Sequence, residues 1–299
     1  EDALACYRRA VELDPTLAAA YNNIGTACKE LGRLDEAIAA YQAALVLQPD
    51  FAEALNNLGG ARLERHEYAA AIECLQHAIA ARPDYVEAYH NLGIACKADS
   101  HLEEALICFQ NAVHLRPENP ESCAMVALTH AELGHHAHAL AWCEKTLAMS
   151  PDSPAAHFNL GVTYATLNRG FDAIACFQQA ILRKPDLADA HNNLGVAYKE
   201  LGRHDEAVAC FEHAIALQPT FADAYNNLGN TLKEQGKPDE SRAQFERAIE
   251  LAPAYAAAHN NLLLSMQYAA GITQEQLFKL HLRFAAQFDD IAIDGGHPH

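Results

Sequence analysis

Apolar and polar positions repeat along this chain with a fixed period of 34 residues, and a recurring proline marks it. The prolines that do so are Pro15, Pro49, Pro83, Pro117, Pro151, Pro185, Pro219 and Pro253. With this proline at position 32 of a unit, complete units begin at residues 18, 52, 86, 120, 154, 188 and 222. A period between about 20 and 50 residues is typical of a tandem array such as a solenoid or a propeller.

Each unit contains two amphipathic helical patterns. In the first, positions 4, 7, 8 and 11 are apolar or small, which is the spacing of one helix face. In the second, small or aromatic residues recur at positions 20, 24 and 27, again on one helix face, as in Ala37, Tyr41 and Ala44. A glycine at position 15 of several units predicts a turn between the helices, and the proline at position 32 ends the second helix. No segment has a strand pattern, which excludes a Rossmann domain and a barrel.

This unit resembles the tetratricopeptide repeat in its period and in its order of aromatic, Leu-Gly, aromatic, Ala, aromatic, Ala and Pro, over residues 1 to about 268. The resemblance implies an all-α fold, a right-handed superhelical solenoid of helix-turn-helix repeats in which each repeat packs on its neighbours. The expected segments are the second helix of a truncated repeat (1–17), seven full units (18–51, 52–85, 86–119, 120–153, 154–187, 188–221 and 222–255), the first helix of an eighth (256–268), a capping or bridging helix (272–290) and a tail (291–299).

Composition narrows the class of partner. The chain has 21 Lys and Arg against 39 Asp and Glu, which gives a formal charge of −18. Nucleic acids and anionic membrane surfaces require a basic face, so neither is expected as a partner. No apolar stretch approaches the ~18 residues of a membrane span. Nine cysteines without a CxxC pair favour a reducing, cytoplasmic compartment, although no targeting segment can be read at a start without Met.

The face of the first helix opposite its packing stripe carries one asparagine per unit. Position 6 holds Asn23, Asn57, Asn91, Asn159, Asn193, Asn227 and Asn261, and only the fourth unit differs, with Met125. Asparagine is a poor helix former, and no packing role is expected for it on this face. The series therefore predicts a ladder of amides that binds the backbone of an extended peptide. The alternative is a solvated polar position copied by duplication.

Two further sets of residues flank this asparagine ladder. Position 9 is aliphatic in the middle units, as in Ile94, Val162 and Val196. Position 2 is acidic, as in Glu87, Asp189 and Asp223, and so is position 13, as in Glu30, Glu64, Glu132, Glu200 and Glu234. Together they predict a groove for extended, neutral-to-basic peptides. In the alternative interpretation the acidic residues only solubilise the face and pair with lysines one helical step away, which are Lys29, Lys97, Lys199 and Lys233.

Neither cysteines nor histidines predict a metal centre. Five cysteines share position 23 (Cys6, Cys74, Cys108, Cys176 and Cys210), about 10 Å from their equivalents and beyond disulfide reach, so they are expected to pack as small hydrophobes. A histidine cluster (His130, His135, His136 and His138) lacks an acidic or cysteine partner at ligand spacing, which favours an exposed loop over a metal site. No catalytic triad, P-loop or GxGxxG is present, so a binding module without metal or cofactor is favoured over an enzyme.

The chain as a whole resembles the repeat region of the O-GlcNAc transferase family, especially its SPINDLY-like and bacterial members. The repeat from Tyr225 to Gly236 is close to that family's unit, and the ladder resembles its substrate-gripping asparagines. The segment from Asn260 to Phe288 resembles its bridge to the catalytic domain. The resemblance implies the substrate-recognition region of a protein glycosyltransferase whose catalytic domain would follow His299, so this chain is expected to lack enzymatic activity. The alternative is a stand-alone assembly scaffold.

The first helical segment is also expected to associate with another chain. Residues 1–14 read as a second helix without its first-helix partner. Ala3, Tyr7 and Ala10 would then lose their cover, and uncovered apolar stripes of this kind favour self-association.

Overall fold

A computed structural model describes residues 1–267, together with the single helical residues Glu275, Phe278 and Leu282. Residues 1–267 form sixteen α-helices and no strand, which confirms the all-α repeat fold. Their bounds are α1 Asp2–Leu13, α2 Ala18–Glu30, α3 Leu34–Leu47, α4 Ala52–Glu64, α5 Tyr68–Ala81, α6 Val86–Ala98, α7 Leu102–Leu115, α8 Pro120–Glu132, α9 His136–Met149, α10 Pro154–Thr166, α11 Gly170–Arg183, α12 Ala188–Glu200, α13 His204–Leu217, α14 Ala222–Glu234, α15 Pro238–Leu251 and α16 Ala256–Gln267. Apart from those three residues, the expected segments 272–290 and 291–299 lie outside the described residues.

The turn inside each helix pair needs one residue with left-handed backbone. Gly32 supplies it in the first full repeat with φ of 73°, and Arg33 N–H then donates to the Cys28 carbonyl over 2.9 Å to close the helix end. Three repeats do this without glycine, because His66, Ser100 and Asn168 adopt φ of 61°, 65° and 57° at the same position. The turn geometry is therefore constant although its glycine is not.

The chain divides into two compact units, residues 1–150 and residues 151–299. In both units the helices of a pair meet where a large side chain at position 24 of the second helix lies against a small residue at position 8 of the first. Phe109 and Phe177 are 0% and 1% exposed and fill this place in the two units. A Cβ added to Gly93 would lie 2.6 Å from Phe109, and one added to Gly161 would lie 2.7 Å from Phe177. The glycine therefore allows the close approach of the two helices.

The fourth repeat keeps this fit with different residues. Its first helix carries Ala127 in place of the glycine, and its second helix carries the small Cys143 in place of the aromatic. Both residues are buried, at 1% and 3% exposure. A gain of volume on one helix thus accompanies a loss of volume on the other, which is the exchange that close-packed interiors tolerate best. The replacement of Leu-Gly by Val126-Ala127 in this repeat is accordingly a change of packing partners.

Two adjacent glycines in α4 test this close approach. A Cβ at Gly59 would lie 2.6 Å from Leu75 Cγ in the core, whereas one at Gly60 would meet only Lys29 Nζ at 3.7 Å. We expect Gly59→Ala to lower the free energy of unfolding by roughly 1–3 kcal/mol through overpacking. Gly60→Ala should leave it unchanged or raise it by up to about 1 kcal/mol, because alanine is the better helix former. Chemical denaturation of the two variants checks this, and equal stabilities would contradict a tight contact at Gly59.

Candidate functional site

The structure places the asparagine ladder on the first helices of the repeats. Asn23 is exposed, and the six other ladder residues, Asn57, Asn91, Asn159, Asn193, Asn227 and Asn261, are half-buried. Met125, which replaces asparagine in the fourth repeat, packs against the core of unit 1. A side chain at this position can therefore face outward or be drawn into packing, depending on its polarity.

Four ladder residues are tied to the preceding repeat. The Nδ2 amide of Asn57 donates to Asn22 Oδ1 over 3.0 Å, and Asn227 donates to Asn192 Oδ1 over 3.0 Å. The same bond joins Asn91 to Asn56 and Asn261 to Asn226, both over 2.9 Å. We call these four contacts the inter-repeat amide bonds. The expectation that position 6 has no packing role is wrong for these four residues.

The acceptors of the inter-repeat amide bonds are asparagines at position 5. They are buried residues, between 6% and 9% exposed, so the bond also satisfies a polar group held away from water. A signal for this pairing was present in the sequence as the recurring Asn-Asn dipeptide, and His90, Ala124 and Phe158 interrupt it in the middle repeats. Helical periodicity assigns each residue to a face of its own helix, so it does not show this bond between the first helices of neighbouring repeats.

Where position 5 is not asparagine, the next ladder amide is left unpaired. Phe158 occupies position 5 of α10, and Asn193 on α12 accordingly has no acceptor there. Within the described residues, the side chains of Asn23, Asn159 and Asn193 make no hydrogen bond. An unpaired amide on a half-buried position keeps both its donors and its acceptor available to a ligand.

The aliphatic residues beside the ladder are half-buried. Ile94 packs against the core of unit 1, while Val162 and Val196 pack against the core of unit 2. In unit 2 these two valines also line a cleft of about 330 Å³ between α10 and α12. Asn193 and Glu200 line the same cleft, so an unpaired amide, apolar walls and a carboxylate meet there.

The acidic residues at position 2 are partly neutralised within their own repeats. Arg116 lies 3.3 Å from Glu87, and Arg82 forms the equivalent pair with Glu53. Asp189 and Asp223 are exposed. Burial and then the hydrogen bond with Asp223 raise the pKa of Tyr255. The acidic residues at position 2 thus include carboxylates that pair with arginine and carboxylates that are exposed to solvent.

Two of the flanking lysines pair between repeats instead of within one helix. Lys29 Nζ lies 2.8 Å from Glu64, and Lys97 Nζ lies 2.7 Å from Glu132. Each pair joins position 12 of one first helix to position 13 of the next. The expectation of lysine pairing one helical step away is therefore wrong for these two residues, and the pairs act across the repeat boundary.

Cysteines and histidines were the remaining candidates for chemistry. Burial raises the pKa of Cys108 to about 12 and that of Cys210 to about 11, so neither thiol is readily deprotonated. His130 is 7% exposed, and its ring lies 5.2 Å from that of His138 and 5.6 Å from that of His135. No group of three His, Cys, Asp or Glu in the described part of the chain could hold a metal ion. The same part contains no helix long and apolar enough to cross a membrane.

We expect the histidine cluster to make the free energy of unfolding depend on pH. Burial, followed by the neighbouring His138 and His135, lowers the pKa of His130 below the ordinary 6.5. The unfolded chain then binds a proton more readily, so the free energy of unfolding should decline as the pH falls below about 6.5 and down through the lowered pKa, by up to ~1.4 kcal/mol per pH unit. His130→Leu should flatten this decline, whereas His114→Leu, at an exposed position, should not. Urea denaturation across this pH range checks it, and parallel curves for wild type and His130→Leu would count against it.

The inter-repeat amide bonds can be weighed against a matched neighbour. Asn227→Ala removes the bond to Asn192 and leaves that buried acceptor unsatisfied, whereas Asn193→Ala removes an unpaired amide from the same position of the previous repeat. Since the gain in helix propensity is common to both, we expect Asn227→Ala to be less stable than Asn193→Ala by about 0.5–1.5 kcal/mol. A double-mutant cycle with Asn192→Ala isolates the bond, and a coupling energy near zero would refute its contribution.

Three protein-family models that match the chain all describe the tetratricopeptide repeat. A model described as TPR repeat matches residues 1–32, 25–64, 172–202 and 197–236, and two models described as tetratricopeptide repeat match residues 222–255 and 50–118. No curated protein matches the chain.

Solved structures share the fold at low identity. A tetratricopeptide repeat protein from Parabacteroides merdae is 17% identical, with a TM-score of 0.69 over 83% of this chain and 98% of that one. The APC/C hetero-tetramer Cut9-Hcn1 contains a chain that is 18% identical, with a TM-score of 0.68 over 88% of this chain. This chain spans about half of that one, 52%. A thermophilic TPR protein of Thermus thermophilus is 24% identical, with a TM-score of 0.52 over 68% of this chain and 98% of that one. From its repeat models and its helix pairs, the chain belongs to the tetratricopeptide repeat proteins, a family whose fold serves protein–protein interaction.

Proposed function

We propose that this chain binds extended segments of partner proteins on the face formed by its first helices, and that the ladder amides hold the peptide backbone. The observation that carries this proposal is Asn193, a half-buried amide without a partner at the edge of an apolar cleft. Amide groups donate and accept in the same geometry as a peptide group, so they bind backbone without selecting a side chain.

The paired ladder residues also support this proposal. An asparagine side chain has two N–H donors and an oxygen with two acceptor sites. The inter-repeat amide bond of Asn227 uses one donor only, and its own oxygen is not part of that bond. The side-chain oxygen of a paired ladder residue can therefore accept a hydrogen bond from a peptide N–H, while the neighbouring repeat fixes the orientation of that side chain. Such preorganisation lowers the entropic cost of binding.

Charge favours neutral-to-basic partners. The chain carries a formal charge of −18, and the exposed Asp189 and Asp223 flank the ladder in unit 2. An acidic segment would be repelled from this face, while a basic one would be attracted and would associate faster at low ionic strength.

A finer assignment follows from the family resemblance of the sequence. We propose that the bound segments are substrates of an O-GlcNAc-transferase-like protein glycosyltransferase and that this chain is its recognition region. The alternative is a stand-alone assembly scaffold without an attached enzyme. The reading frame after His299 distinguishes them, because a continuing α/β domain supports the transferase and a stop codon supports the scaffold.

Peptide binding is tested with the whole chain and a neutral, fluorescein-labelled peptide of about twelve residues built from Ala, Ser, Thr and Val. We expect Asn193→Ala to weaken binding roughly three- to tenfold, the equivalent of about 0.5–1.5 kcal/mol, because one neutral hydrogen-bonding group is lost. The double variant Asn193→Ala, Asn227→Ala should lose about tenfold or somewhat more. Fluorescence anisotropy gives the affinity and thermal melting reports the fold.

The matched control is Asn111→Ala, at an exposed position of the second helix α7. It should bind the peptide as the wild type does. If Asn193→Ala and Asn111→Ala bind equally well, the ladder is a solvated position without a role in binding.

A further inference from the structure

The two lysine–glutamate pairs show how two of the clefts between neighbouring first helices are closed. Lys29 reaches Glu64 on the next first helix over 2.8 Å, and Lys97 reaches Glu132 over 2.7 Å. The Nζ atom of Lys29 also lies 3.7 Å from the Cβ position of Gly60, so this lysine extends over the neighbouring helix. In both junctions the ammonium group of the lysine therefore neutralises a carboxylate of the next first helix, and at the first of them the lysine stem also covers the boundary.

The junction between α10 and α12 lacks this lysine. Ala165 occupies position 12 of α10, while Glu200 retains the acidic position on α12. The side chain of Glu200 is exposed and makes no ion pair or hydrogen bond within residues 1–267. Arg203 pairs with Glu206 over 2.7 Å and Arg169 pairs with Asp172 over 2.7 Å, and the adjacent Lys199 forms no ion pair with Glu200 in the described part of the chain.

The space left by the missing lysine is the cleft of about 330 Å³ described above. Val162, Ala165 and Val196 give it apolar walls, and Glu200 and Asn193 line it as well. Asn193 and Glu200 are seven residues apart on α12, which is close to two helical turns, so they lie on one face about 10.5 Å apart along the axis. The cleft therefore has an amide at one end, an unpaired carboxylate at the other end and an aliphatic surface between them.

We propose that this cleft binds a lysine side chain of the partner segment. The four-carbon stem of lysine fits the aliphatic walls, and its compact ammonium group pairs with Glu200 while Asn193 holds the backbone. The partner thereby supplies the cation that Lys29 and Lys97 supply within the chain at the equivalent junctions. This inference rests on the proposed peptide binding and adds a selected side chain to it.

Two peptides that differ at one central residue test the inference. One is the neutral peptide with a single lysine, and the other has norleucine, which keeps the aliphatic stem and removes the charge. At low ionic strength we expect the wild type to bind the lysine peptide about two- to fivefold more tightly. Glu200→Gln should abolish that preference, because the affinity for the lysine peptide falls to that for the norleucine peptide. Glu30→Gln, at the same position of α2, should keep it.

A second variant restores the lysine within the chain. Ala165→Lys should cover the cleft and pair with Glu200, so the preference for the lysine peptide should disappear and both peptides should bind more weakly. Thermal melting verifies that each variant is folded. Equal affinity of the wild type for both peptides, or a lysine preference that survives in Glu200→Gln, overturns the lysine site while peptide binding itself stands. Absence of binding to either peptide overturns the proposed function and this inference with it.

Discussion

The contact between the position-24 side chain of the second helix and the small residue opposite it on the first helix is the constraint on which each repeat depends. At Gly93 and Gly161 the approach leaves no room for a methyl group beside Phe109 and Phe177. This contact sets the rotation of each first helix about its axis. Once the packing stripe is fixed inward, positions 5 and 12 are directed to the boundary with the next repeat, and positions 6 and 13 to the boundary with the preceding repeat. The inter-repeat amide bonds and the lysine–glutamate pairs are consequences of that orientation.

The candidate site arises where those boundary contacts are missing. Phe158 stands where an asparagine would accept from Asn193, and Ala165 stands where a lysine would reach Glu200. Both substitutions fall on α10, about two helical turns from each other, and both release a polar group on α12. Residues that stabilise other junctions are thus left available for a ligand at this one, which is a common relation between local stability and binding.

The sequence predicted the repeat and its helices well because both depend on periodicity alone. It also predicted one ladder asparagine on each first helix except that of the fourth repeat, and the structure has six of these seven residues half-buried. It did not show that His66, Ser100 and Asn168 adopt the left-handed turn normally given to glycine, since that conformation is imposed by the packing of the flanking helices. Nor did it show that Asn227 bonds to Asn192 or that Lys29 pairs with Glu64. A helical projection assigns a residue to a face, but which neighbouring helix a long side chain reaches depends on the distance between helices.

The inter-repeat amide bonds also bear on how unit 2 responds to mechanical or thermal stress. In a linear array the stability is a sum of repeat terms and nearest-neighbour coupling terms. The coupling across α12–α14 and α14–α16 includes a buried amide bond, through Asn227 and Asn261, whereas the coupling across α10–α12 includes none. The repeats on the C-terminal side of the α10–α12 junction should therefore unfold together. The amide hydrogens of α10 should exchange with solvent at a lower free energy of opening than those of α14. A bound segment that spans the α10–α12 junction would couple the repeats on its two sides, so that they open together.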